Sequence, residues 1–329
     1  MRPRPAVLAG LCLAGAAGPV STAAAEQSHL VIVVGLGGEQ KYSDAFHQMA
    51  VSMVGAAEKK LGLAVGNIVY LGEKTADPAL PVYGGRATRE SVHDALAGVA
   101  RRAAPGDLVF VLLIGHGSAQ TGESRFNLAG PDMSAADFVP LLEALAAQAV
   151  VFVNAASASG DFAAALVGPG RTIVTATKSA LERNQTVFAK HFVEAFTGEG
   201  ADADKDQRVS LLEAFAYARR EVERFYEKDR RLLTEHAVLA DGADGAVART
   251  VFLGSGGEGG EGRAGADTGD PALATLFQQR RDVERKLDAL RAGKATTAPA
   301  EYEKRLESLL LDLALKDEAI RKRSAARTR

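Results

Sequence analysis

Two uninterrupted apolar runs set the frame of this chain: Leu30-Val-Ile-Val-Val ahead of Gly35, and Leu108-Val-Phe-Val-Leu-Leu-Ile114 ahead of Gly115-His116-Gly117. A strand with one wet face alternates apolar and polar residues, whereas a strand covered on both faces has no polar side to show, so each run predicts a buried parallel strand. Between them the period changes. Phe46, Met49, Ala50, Met53, Val54, Ala57 and Leu61 recur at helical spacing, and a second helix is predicted from Thr88, a capping residue, through Val92, Leu96 and Val99. Asn67 to Leu71 reads as a short strand, and the stretch with Pro78, Pro81 and Gly84-Gly85 as a polar loop. Strands alternating with amphipathic helices define an α/β fold whose parallel strands are joined by right-handed crossovers.

The alternation continues beyond His116. Gln120 to Asp132 is a loop with a small β extension at Phe126-Asn-Leu128, followed by a helix with Phe138, Leu141, Leu142 and Leu145 on one face. Val150-Val-Phe-Val153 is a fourth strand and Arg171 to Thr177 a fifth. Helices follow with Phe188, Phe192 and Phe196, and with Leu211, Phe215, Ala218, Val222 and Phe225. The region closes with an acidic, glycine-containing turn around Asp241 and Asp244 and a last apolar run, Val251-Phe-Leu253. Residues 255–270 are Gly- and Glu-rich and read as a linker. Residues 271–329 carry two heptad-like stripes, Leu273, Leu276, Val283, Leu287, Leu290 and Tyr302, Leu306, Leu309, Leu313, Ile320, which predict a helical hairpin or coiled-coil tail that docks on a partner or on the main domain.

Composition narrows the class. A net charge of -2 and 24% charged residues give no reason to expect nucleic acid as a partner. Arg2 and Arg4, the small apolar stretch from Ala6 to Gly18 and Ala23-Ala24-Ala25 form a signal-peptide pattern over residues 1–25, so a mature chain from Glu26, secreted or periplasmic, is expected. The one cysteine, Cys12, falls inside that segment, which leaves residues 26–329 without a thiol for disulfides, metal ligands or nucleophilic attack.

Candidate chemistry gathers where strands end. In an open parallel sheet, ligands bind outside the carboxyl edge of the strands. His116 stands at that edge after one strand, and Asn154-Ala-Ala-Ser-Ala-Ser-Gly160 follows the next, so Ser157 and Ser159 are expected near His116. Gly35-Leu-Gly-Gly38 does not fit a dinucleotide fingerprint, because Gln40 stands where the third glycine belongs. Asp202, Asp204, Asp206, Ser210 and Glu213 occupy positions 1, 3, 5, 9 and 12 of an EF-hand-type loop, with Gln207 where that loop expects glycine; calcium is the one cofactor the sequence suggests, and none is required. His29, His47, His93, His191 and His236 have no metal-binding spacing and read as surface or helix-packing residues.

The two loops together resemble those of the legumain family and its wider caspase-like clan of cysteine peptidases. There a His-Gly pair follows the third strand and an Ala-Cys-x-Ser-Gly segment the fourth. Ile114-Gly-His-Gly-Ser118 matches the first, and Ala156-Ser157-Ala158-Ser159-Gly160 the second, with Ser157 in the place of the nucleophilic cysteine. The resemblance spans roughly residues 30 to 253 and leaves out the tail. It implies a caspase-like three-layer sandwich with a mostly parallel sheet, in which Ser157 would attack an acyl carbon, His116 would carry the proton and the Gly117 amide would hold the oxyanion. A thiol with a reference pKa near ~8.5 is readily ionised by a nearby imidazole, while a hydroxyl needs a histidine held and aimed by an acid. Asp132 and Glu123 in the following loop are the conceivable orienters. Two functions follow: an exported peptidase homologue with an altered site, or a non-catalytic cell-envelope protein that binds peptides or partners.

Overall fold

Apolar runs and amphipathic stretches resolve into a sheet with a helical layer on each face. The computed structural model describes residues 27–254, apart from 75, 78, 79, 121, 147, 243, 244 and 246, together with 298–327 and scattered residues from 272 to 290. Residues 1–26, which include the expected signal peptide, and residues 255–270, the expected linker, lie outside the described residues. The main sheet holds β1 (Ser28–Val34), β2 (Ile68–Gly72), β3 (Tyr83–Arg86), β4 (Leu108–Ile114), β8 (Ala149–Asn154), β9 (Arg171–Thr175) and β10 (Val238–Ala240). Their order is β10-β9-β8-β4-β1-β2-β3, all parallel except β10, which runs antiparallel to β9. A small antiparallel sheet of β5 (Gly117–Gln120), β6 (Glu123–Phe126) and β7 (Met133–Ser134) grows from the loop after His116.

Residues alternate between two cores. Leu30, Ile32 and Val34 of β1, with Phe110, Leu112 and Ile114 of β4, face α1 (Gln40–Lys59), α5 (Phe188–Thr197) and α6 (Leu211–Lys228). Val31 and Val33, with Val109, Val111 and Leu113, face α2 (Arg89–Arg102), α3 (Ala135–Glu143) and α4 (Asp161–Leu166). Burial on both faces is why β1 and β4 carry no polar alternation. Rings fill the gaps between layers, with Phe110 against Phe192 and Phe196 on one side and Phe138 against Phe152 and Phe162 on the other.

One segment differs from the sequence reading, and two that it left unassigned take definite form. Tyr83–Arg86, expected as loop because of Gly84-Gly85, is a parallel edge strand. It pairs on one side only, with a register shift opposite Tyr70 and Leu71, and such irregular edges accept glycine. Val238–Ala240, in the closing segment, is the strand that ends the sheet. Val251-Phe-Leu253 forms only an isolated bridge from Phe252 to Ser210, while Leu253 reaches the core.

His29 is a further difference, because it sits 2% exposed inside β1 rather than on a surface or a helix. Its Nε2 lies 3.1 Å from Asp107 Oδ2, and the same carboxylate accepts from the backbone of Gln27 and Ala104. This one side chain ties the starts of β1 and β4 together. Asp107→Ala would leave those buried donors without an acceptor and is expected to cost about 3 kcal/mol in urea denaturation; a loss under about 0.5 kcal/mol would show that water substitutes for the carboxylate.

In the tail, α7 (Pro299–Arg327) turns Ile320 inward against Leu276 and half-buries Tyr302, Leu306, Leu309 and Leu313, while Leu310, Leu311 and Leu315 are exposed. Leu273, at the head of the first heptad-like stripe, lies outside the described residues. Helical residues between 272 and 290 bury Val283, Leu287 and Leu290 in the same way.

Candidate functional site

Parallel pairing of β4 with β8, from Leu108↔Ala149 to Leu113↔Asn154, brings the two candidate loops to one edge of the sheet. Gly117 and Ser157 are in direct contact there. Ser157 Oγ accepts from the Gly117 N–H at 3.2 Å and donates to the Gly117 carbonyl at 3.0 Å. A Cβ on Gly117 would lie 2.0 Å from the Ser157 carbonyl oxygen and 3.0 Å from that of Arg125, so only glycine permits this approach. Ser157 is 4% exposed. The next residue, Ala158, holds φ at +50°, a left-handed conformation that costs a non-glycine residue about 1–3 kcal/mol. Its N–H donates to the Glu182 carbonyl.

Ser159 turns the other way. Its backbone N–H and Oγ both meet Thr177 Oγ1, at 2.8 and 3.1 Å, and its Oγ accepts from the Thr177 N–H. That reciprocal pair fastens the loop to the end of β9, and Ser159 is spent on structure. Gly160 is required beside it, since a Cβ would stand 2.1 Å from the Ser179 nitrogen.

The His116 imidazole is packed between aromatic rings of α1, with the Tyr42 ring 5.0 Å and the Phe46 ring 5.1 Å from its centroid, both near edge-on. Burial pushes its pKa below the ordinary histidine value, against the Gly37 backbone and the Glu39 carboxylate, which pull it up. The neutral ring is therefore the form held at neutral pH. Among the described residues no carboxylate is hydrogen-bonded to it. Asp132 Oδ1 accepts from the Leu128 N–H, and Glu123 pairs with Arg125 at 2.8 Å, so neither conceivable orienter is joined to the imidazole.

The acidic loop draws together three of its five candidate ligands. Carboxylate oxygens of Asp202, Asp204 and Asp206 lie within 4.8 Å of one another. Ser210 and Glu213 instead form a capping box for α6: Glu213 Oε2 accepts from the Ser210 N–H and hydroxyl, and Oε1 accepts from the Ala203 N–H. Gln207, in the place of the expected glycine, does adopt a left-handed φ of +68°. Asp206 is 5% exposed, and burial, followed by repulsion from Asp204, raises its pKa to about 7. The Arg280 guanidinium reaches in from the tail, 3.5 Å from Asp204 and 3.8 Å from Asp206, with its side chain 8% exposed. Asp241 accepts from its own loop, at Gly245, Val247 and Ala248, and Asp244 lies outside the described residues.

A cavity of about 180 Å³ at the carboxyl ends of β1 and β2 has no counterpart in the sequence reading. Val34, Ser43, His47, Tyr70, Glu73 and Tyr83 line it. His47 Nδ1 is 2.8 Å from Tyr70 Oη, and its Nε2 is 3.7 Å from Asp77. The available signal was an acid, Glu73, directly after a buried strand end.

No family model matches the chain, and no curated protein matches it. Among solved structures, the crystal structure of drICE is similar: 8% of residues are identical over 66% of this chain and 87% of the drICE chain, with a TM-score of 0.39. A likeness of that degree carries no argument about activity, which rests on the residues above.

Proposed function

We propose that this protein is an exported, peptidase-like protein of the caspase-like fold whose His116–Ser157 edge binds a peptide or protein partner without cleaving it. The observation that carries the reading is the double hydrogen bond between Ser157 Oγ and the peptide groups of Gly117. A serine nucleophile needs its proton directed at a base and a free N–H to receive the oxyanion. Here the hydroxyl proton goes to a carbonyl, and the Gly117 N–H, the oxyanion donor that the resemblance implies, is already satisfied by the hydroxyl. With no carboxylate hydrogen-bonded to it among the described residues, His116 lacks the acid that would aim it at the hydroxyl.

Treatment with a serine-reactive phosphonate is expected to leave both the mature protein and Ser157→Ala unlabelled. Labelling of the mature protein that Ser157→Ala abolishes would establish the active peptidase instead.

The acidic loop adds a proposed role for a hard cation such as calcium, supported by the three converging carboxylates and the unfavourable charge on buried Asp206. Oxygen ligands at this spacing suit calcium, which would compete with Arg280 for the same seat. The tail hairpin is the second proposed docking surface, through the exposed Leu310, Leu311 and Leu315 side of α7.

A further inference from the structure

We propose that the cavity at the carboxyl ends of β1 and β2 binds a small organic cation, a guanidinium or primary ammonium group, between Glu73 and the rings of Tyr70 and Tyr83. Glu73 Oε2 is buried and has no hydrogen-bond partner among the described residues. A carboxylate oxygen withdrawn from water without a donor is a standing cost, which an entering N–H cation relieves with a charge-assisted hydrogen bond. Lys74 also lines the cavity, with an exposed side chain and no ion pair to Glu73 among the described residues, so the buried oxygen is left for another cation.

The aromatic wall suits the same ligand. The Tyr70 and Tyr83 rings meet edge to face at 4.9 Å. Both hydroxyls crowd over Gly72, where a Cβ would lie 2.6 Å from Tyr83 Oη and 3.1 Å from Tyr70 Oη, so the glycine is what lets the rings close on this point. Their polar ends are spent: Tyr83 Oη donates to the Lys74 carbonyl at 2.7 Å, and Tyr70 Oη is tied to His47. What remains for a ligand is ring surface, which attracts cations through its quadrupole. The local field has the matching sign. Burial first, and then the Asp77 and Glu73 carboxylates, hold the Tyr83 phenol above its usual range, and Tyr70 is raised by burial and by Asp77 as well. Asp44 adds a further carboxylate on the rim.

Size sets the ligand class. Pockets for drug-sized molecules run from roughly 300 to 1,000 Å³, so a cavity of about 180 Å³ takes the end of a side chain or a small free amine. The site lies across α1 from the His116 edge: Ser43 and His47 face the cavity, while Tyr42 and Phe46 face His116. It stands independently of the peptide-binding reading above.

Calorimetric titration of the full chain with agmatine and with n-butylammonium tests this, with n-butanol as the uncharged control. Both cations are expected to bind and the alcohol not to. Glu73→Gln should weaken binding at least about tenfold, a change of about 1.4 kcal/mol. Because that substitution neutralises an unpaired buried oxygen, its melting temperature should equal or exceed that of the unaltered protein, which separates lost binding from lost fold. Glu143→Gln, an exposed change on α3, should bind as the unaltered protein does. Absence of cation binding, or equal affinity in Glu73→Gln, would overturn the proposal. A glycine-flanked arginine peptide run as a competitor then assigns the source: displacement of agmatine points to a side chain on a partner, and no displacement to a free cation.

Discussion

Gly117→Ala is expected to destabilise the protein by about 3 kcal/mol or more, while Gly55→Ala stabilises it by about 0.5–1 kcal/mol. The two changes add the same methyl group. At Gly117 it would meet backbone oxygens of Ser157 and Arg125 at 2.0 and 3.0 Å, and no side-chain rotation relieves a clash with backbone. At Gly55, inside α1, it would meet nothing within 4 Å, and helix propensity alone decides the sign. Forcing the two loops apart must also break both Ser157–Gly117 hydrogen bonds. Urea denaturation of both variants measures the contrast. A Gly117→Ala loss under about 1 kcal/mol would mean that the loops at this edge are loosely held, and the proposed commitment of Ser157 would go with it.

The second large effect is a dependence of stability on pH that runs opposite to the ordinary carboxylate case. Asp206 has a folded pKa of about 7, against about 3.9 for an unstructured aspartate. Below about pH 4 the carboxyl is protonated in both states and contributes nothing to the balance. As pH rises from about 4 to 7 the unfolded chain releases the proton and the folded chain keeps it, so stability falls; the penalty is complete above 7, on the order of 4 kcal/mol. Asp206→Asn keeps an oxygen for the Arg208 N–H, which donates to Oδ1 at 2.8 Å, and removes the charge. Its melting temperature should exceed that of the unaltered protein at pH 8 and match it near pH 4. Calcium at pH 8 should raise the melting temperature of the unaltered chain and not that of Asp206→Asn. Identical pH profiles for the two proteins would remove the charged aspartate from the account, and a melting temperature unmoved by calcium would remove the cation role.

Most of the scaffold could be read from the sequence because burial on both faces of a parallel sheet writes itself into β1, β4 and β8 as solid apolar runs. The helices declared themselves through stripes such as Phe46, Ala50, Met53 and Val54. Edge elements escaped because their identity depends on a neighbour: Tyr83–Arg86 is a strand only by virtue of β2, and Val238–Ala240 only by virtue of β9. The same division runs through the candidate site. Parallel strands end together, so His116 and Ser157 could be assigned to one edge without coordinates. That Ser157 turns to the Gly117 backbone, and Ser159 to Thr177, depends on sub-ångström register between loops, which no spacing rule encodes. Arg280 was legible in principle. It interrupts the apolar stripe between Leu276 and Val283, and a charge on a buried helix face calls for a partner of opposite sign.

That arginine and the aspartates it meets belong to one polypeptide, more than seventy residues apart. Tethering gives their encounter an effective concentration fixed by chain length and independent of how dilute the protein is. A single peptide-bond scission between residues 254 and 272 would turn the contact into an ordinary bimolecular equilibrium. Dilution would then separate the tail from the acidic loop, and proteolysis at that point would act on the molecule as an irreversible release.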